Sequence, residues 1–216
     1  MRVLLLVLVL VAATTGMALA AAGERDQIKI NAADQDAASR AVAQQADFGA
    51  TGWAGGATKP DLSAPPTCAN YHPKQHDLVL TGAASSKWSN NGLEIDTQAQ
   101  VLKTEAMVAA DWRRTVLAPT AIPCLRVHLV KELGKNVTFV SFKRILFPPV
   151  ATNSRAYDLL VDVKTTTGKV RVALEVVLVT RGRTELSIVS TAPNIAQKII
   201  AEADIALAEK LVARAS

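Results

Sequence analysis

The sequence predicts an α+β protein, an antiparallel sheet of about six strands backed by helices in the order α-ββ-αα-ββββ-α. Between Val137 and Thr191 apolar and polar residues alternate in successive runs separated by short turns, the period of half-buried strands. A second alternating pair, Asp77 to Ala84 and Leu93 to Lys103, flanks Asn91-Gly92, a dipeptide suited to a hairpin turn. Strands grouped apart from helices and joined by hairpins call for an antiparallel sheet.

The chain opens on Met1-Arg2, an unbroken apolar run from Val3 to Ala13, and small residues ending in Ala18-Leu19-Ala20. That pattern is expected of a secretory signal peptide over residues 1–20, with an uncleaved anchor as the alternative. Residues 21–33 are small and polar and are expected to form a flexible segment. Residues 34–216 are read as one domain. Within it, Ala37, Ala38, Ala41 and Val42 have helical spacing behind Asp34 as a cap, with the helix reaching about Asp47. The stretch 49–71 holds four glycines and three prolines, so an irregular loop is expected there. Trp53, in its midst, is expected to pin that loop to the body.

After the hairpin, Thr104 caps a helix running to about Leu117 with Val108, Trp112 and Val116 on one face, and Pro119 ends it. A second helix from about Ile122 to Leu133 carries the stripe Leu125, His128, Leu129 and Leu133. In the four-strand block, Tyr157, Leu159, Val161 and Val163 point one way and Asp158, Asp162 and Lys164 the other. Val170, Val172, Leu174, Val176 and Leu178 share a face. The opposite face changes from Lys169, Arg171 and Glu175 to Val177 and Val179, so its second half must be covered. Asp158, Asp162, Arg171 and Glu175 are expected to be wet. Pro193 is expected to begin a last helix to about Ala213, with Ile195, Ile199, Ala203, Leu207 and Leu211 in a row.

Cys68 and Cys124 are the two cysteines, and in an exported chain a disulfide is the natural reading, with two buried free thiols as the alternative. Loss of Arg2 with the leader takes the net charge from +5 to +4, too weak for a nucleic-acid partner. His72 and His76 flank Pro73 without a nearby ligand set, so no metal is expected. His128 lies on an apolar stripe, where a satisfied histidine is commoner than a base. Asp158 and Asp162 would stand about 13 Å apart along one strand, beyond glycosidase spacing. Glu94 and Asp96, about 7 Å apart, fall in the inverting range but are expected to face water. A nucleophile elbow and a phosphate-binding loop are missing, and no cofactor is expected. Basic residues Lys164, Lys169, Arg171, Arg181 and Arg183 gather at turns without interleaved aromatics.

The stretches DLVLTGAASSKWSNNGLEIDTQAQVLKTEAMVAADWRR, PCLRVHL and RTELSIVSTAPNIAQKIIAEADIALAEKLVARA together resemble the extracytoplasmic sensor-like domains of actinobacteria. These include the sensor domains attached to mycobacterial serine/threonine kinases and related secreted envelope proteins. The resemblance covers roughly residues 35–214 and implies a helix-backed antiparallel sheet with a cleft for an extracellular ligand. The chain departs from the kinase sensors in lacking a second cysteine pair and a kinase segment.

A secreted, non-enzymatic binding or sensor-like domain of the cell envelope is therefore expected. Its ligand, a small molecule, lipid or envelope protein, would settle between the sheet and the helices at 104 and 122. Trp53, Trp88 and Trp112 are the candidate walls. A monomer without a membrane-spanning helix in the mature chain is expected. The competing readings are a hydrolase using Glu94 and Asp96 or His128, and a purely protein-binding partner.

Overall fold

The computed structural model describes residues 27–49, 52–193 and 197–215. The expected leader at 1–20 and Ile195 lie outside them. In chain order the elements are β1 (Gln27–Ile28), α1 (Ala32–Ala41), a 3-10 turn (Gln45–Phe48), β2 (Ala54–Thr58), β3 (Val79–Asn90), β4 (Leu93–Leu102), α2 (Glu105–Thr115), α3 (Ala121–Glu132), β5 (Val137–Ile145), β6 (Asn153–Thr165), β7 (Gly168–Arg181), β8 (Thr184–Pro193) and α4 (Gln197–Arg214). The strands form a single sheet ordered β1-β3-β4-β8-β7-β6-β5, with β2 also on β3. Only the β1–β3 pair is parallel among the described residues.

The expected α+β architecture is thus present, with eight strands rather than about six. The additional two lie where no regular structure was expected. Gln27–Ile28 falls in the segment read as flexible, and Ala54–Thr58 in the stretch read as irregular. Both pair with the outer edge of β3, where unpaired backbone groups recruit even poor strand formers. The β3–β4 hairpin turns on Asn91-Gly92 with φ of 47° and 87°, the positive pair a type I′ turn requires.

Helix α1 is capped by Asn31, whose Oδ1 accepts from the Asp34 amide at 3.0 Å, and not by Asp34 as expected. Asp34 is instead buried and bound by the Arg183 guanidinium, which holds its carboxyl far below the usual carboxylate range. The start of α1 lies directly on β3: a Cβ at Gly82 would stand 2.1 Å from the Asp34 carbonyl oxygen. Thr104 caps α2 as expected, its Oγ1 accepting from the Met107 amide at 3.2 Å.

One face of the sheet is covered by α1 and α4 through an apolar core of Ala84, Trp88, Ile95, Ala99, Val177, Val179, Leu186 and Ile188. Val177 and Val179 are therefore covered, as the change of pattern along β7 required. Pro193 closes β8 rather than opening α4, which starts at Gln197. Ala203 is exposed, and the buried stripe of α4 runs through Ile200, Asp204, Leu207, Ala208, Leu211 and Val212. Steps of four alone drift around a helix of 3.6 residues per turn, so the expected row slides off the buried face.

Asp158 and Glu175, expected to be wet, are each 3 % exposed. The cause is α4, which lays Asp204 over the cross-strand row Ser190, Glu175 and Asp158. The Ser190 hydroxyl donates to Asp204 at 2.6 Å. Burial pushes Asp204 up to about 7, and burial with the charges of Asp204 and Asp158 pushes Glu175 up to about 7. Asp162 is also buried but keeps its counter-ion, with Arg171 Nε donating at 2.9 Å.

A cleft between the sheet and helices α2 and α3

The other face of the sheet is roofed by α2, α3 and the chain around 58–71, leaving a cavity of about 480 Å³. Its floor follows from register. Ser85, Gln98, Ser187 and Leu178 form one cross-strand row. The next holds Lys87, Asp96, Val189, Val176 and Tyr157, and a third holds Glu94, Thr191, Leu174, Leu159 and Phe142. Each row passes from polar side chains on β3 or β4 to apolar ones on β7; the second and third stay apolar on β6, where the first meets Arg155. Leu174, Val176 and Leu178 are only half-buried, although β7 lies inside the sheet and Ala173, Glu175, Val177 and Val179 on its other face are buried.

The roof is apolar over the apolar end. Ile122, Leu125 and Leu129 of α3 and Leu133 just past its end line the cavity. Leu129 and Leu133 also pack on the cluster of Leu159, Val161, Val163 and Val172. Two devices hold the roof. The Cys68–Cys124 disulfide, with Cα atoms 5.7 Å apart, ties the loop to α3 and decides between the two readings of the cysteines. Arg114 of α2 grips Asp77 through both terminal nitrogens, at 2.6 and 2.9 Å, and draws its carboxyl down to about 2. Tyr71 exchanges both backbone hydrogen bonds with Cys68 and lines the rim, its hydroxyl pushed up to about 12 by burial.

At the polar end, Lys87 Nζ lies 2.5 Å from Glu94 and 3.6 Å from Asp96. Burial raises the Asp96 carboxyl, and Lys87 opposes the rise. Gln98 braces the mouth: its Oε1 accepts from the Asp61 amide at 3.0 Å and its Nε2 donates to the Asp61 carbonyl at 2.9 Å. The Thr191 Oγ1, buried on the floor, has no hydrogen-bond partner.

The cleft lies where it was expected, but the tryptophans are not on its walls. Trp88 shares the parity of Ala84 and Ser86 and so faces α1, its indole N–H donating to the Ala43 carbonyl at 3.1 Å. Trp53 stacks on Phe48 at 4.3 Å, pinning the glycine-rich loop as expected of it. Trp112 is buried on the face of α2 that also carries Val108, which packs on Leu80, Ala83 and Leu102. Of the two acids expected to face water, Asp96 lines the cleft and Glu94 is buried beside it; they share Lys87 as counter-ion, which occupies the carboxylates that hydrolysis would need free. His128 is half-buried on α3 and does not line the cavity. Gln98, Ser187 and Thr191 were missed. For Ser187 and Thr191 the only signal was a small polar residue in β8 opposite a leucine of β7, and Gln98 reads as one more polar residue of the alternating β4.

Among the described residues, no group of three or more His, Cys, Asp or Glu is placed to hold a metal ion, and no helix is long and apolar enough to cross a membrane. No family model and no curated protein matches the chain. Several solved structures are similar to it, two of which are the following. One is the extracellular domain of PknH from Mycobacterium tuberculosis, at 11 % identity over 84 % of this chain and 95 % of that one, with a TM-score of 0.47. The other is a putative uncharacterized protein, the Rv0999 ortholog from Mycobacterium smegmatis, at 11 % identity over 83 % and 98 %, with a TM-score of 0.42.

Proposed function

We propose that this chain acts outside the cytoplasm as a non-enzymatic binding or sensor-like domain whose ligand occupies the cleft under α2 and α3. The observation that carries this reading is the partial exposure of Leu174, Val176 and Leu178 beneath a cavity of about 480 Å³. Apolar surface left in water forgoes about 25 cal/mol per Å², which a ligand covering it recovers. The volume falls within the roughly 300–1,000 Å³ of ligand pockets. A leader-like N-terminus and the Cys68–Cys124 disulfide support an oxidising, extracytoplasmic setting.

The test is titration of the purified protein with N-phenyl-1-naphthylamine, a neutral dye that fluoresces in apolar surroundings. Saturable binding at one dye per chain is expected, abolished by Val176→Trp with the melting transition retained. Absence of saturable binding, or binding untouched by Val176→Trp, would remove the cleft from consideration.

A further inference from the structure

Resting on that reading, we infer that the cleft is built for an uncharged amphiphile, a single alkyl or acyl chain carrying a hydroxyl- or ester-bearing head. The tail compartment is the end where Leu129 and Leu133 of the roof face Leu159, Val161 and Val172 of the floor. No charged side chain lines that end. Taking a methylene as similar in size to the ~30 Å³ of a water, about 480 Å³ has room for on the order of fifteen such groups.

The head compartment sits over β4 and β8. Asp61 and Asp96 line it with Lys59, and beside the lining Lys87 is paired to Glu94 and Asp96, so no excess positive charge awaits an anion. Lys87 is already engaged by two carboxylates. Between the two compartments stands Thr191, 2 % exposed, with its hydroxyl unpartnered and the residue lining the cavity. A buried hydroxyl without a partner carries a desolvation cost. A carbonyl or hydroxyl one bond beyond the tail of such an amphiphile would relieve it. An alkane supplies no such group, and a wholly polar sugar would leave the tail compartment in contact with water.

The experiment is displacement of the same dye from the full chain, below the micelle threshold, by a monoacylglycerol with an acyl chain of about ten carbons, the fatty acid of equal length, and glycerol. The monoacylglycerol is expected to displace dye one-for-one, roughly tenfold more tightly than the fatty-acid anion, while glycerol does nothing. Thr191→Val is expected to weaken the monoacylglycerol roughly fivefold relative to the dye, about one net hydrogen bond. Leu174→Trp, or Leu129→Trp from the roof should the first fail to fold, is expected to abolish both. Equal or tighter binding of the fatty acid, or an unmoved affinity in Thr191→Val, overturns the assignment of the head. Dye binding that no acyl compound competes overturns the amphiphile while the cleft stands. Failure of the dye itself to bind removes the reading on which the inference rests.

Discussion

Asp204 sets up the sharpest stability test. Its side chain is fully buried under α4, accepts a hydrogen bond from Ser190, and lies over the row carrying Glu175 and Asp158. Burial holds it at about 7 against an ordinary value of 3.8. The folded chain therefore keeps a proton that the unfolded chain releases. The stability this contributes is complete below about pH 4 and is lost as the pH rises to about 7. The difference of about three units, at about 1.4 kcal/mol each, amounts to about 4 kcal/mol. Asp204→Asn keeps the shape and an acceptor for Ser190 but has no proton to lose. The variant is expected to match the wild type near pH 4 and to exceed it by several kcal/mol near pH 8. Removing Asp204 also removes one of the charges raising Glu175, which adds to the gain. Equilibrium urea unfolding of both proteins across that range gives the difference directly, since titrating groups that do not feel Asp204 cancel. A difference that stays flat with pH, or favours the wild type at high pH, refutes the reasoning.

Three further outcomes follow from the same structure. Asp34 has the opposite sign: Arg183 depresses its carboxyl, so its contribution is present above the unfolded value near 3.8 and lost as pH falls. Asp34→Asn should accordingly be less stable than the wild type at neutral pH, with the gap narrowing in acid, as read by thermal melts at both. Replacing Cys68 and Cys124 by serine opens a loop spanning 56 residues and is expected to cost about 4 kcal/mol by chain entropy, with a weaker dye affinity because α3 loses its tether. Chemical unfolding of that variant beside the oxidised protein measures the cost. Gly82→Ala sets a methyl against the Asp34 backbone and should lose roughly 1–3 kcal/mol, visible as a lower denaturation midpoint.

The sheet was legible because alternation reports on both faces of a strand at once. The turn from Glu175 to Val177 and Val179 showed that something covers the end of β7, and α4 does. What alternation does not give is which neighbour covers a polar position. Asp158 and Glu175 read as wet because acids usually are. Their burial depends on Asp204, a charged residue that looks like a break in the apolar stripe of α4. The tryptophans misled for a related reason: they are large and apolar, yet the parity of Trp88 aims it at α1. The two short edge strands carry no pattern of their own, being imposed by β3. The cleft walls emerge only when β4, β8 and β7 are set in register, since Gln98, Val189 and Leu174 belong to separate segments of the chain.

Amide chemical-shift mapping of the isotopically labelled protein, titrated with the monoacylglycerol, tests the central claim most directly. Saturating shifts are expected at residues 94–98, 172–178 and 187–191 of β4, β7 and β8 and along α3, with α1 left in place. Shifts centred on α1 and the outer face of α4, or none at saturating ligand, would contradict a binding site between the sheet and its disulfide-tethered roof.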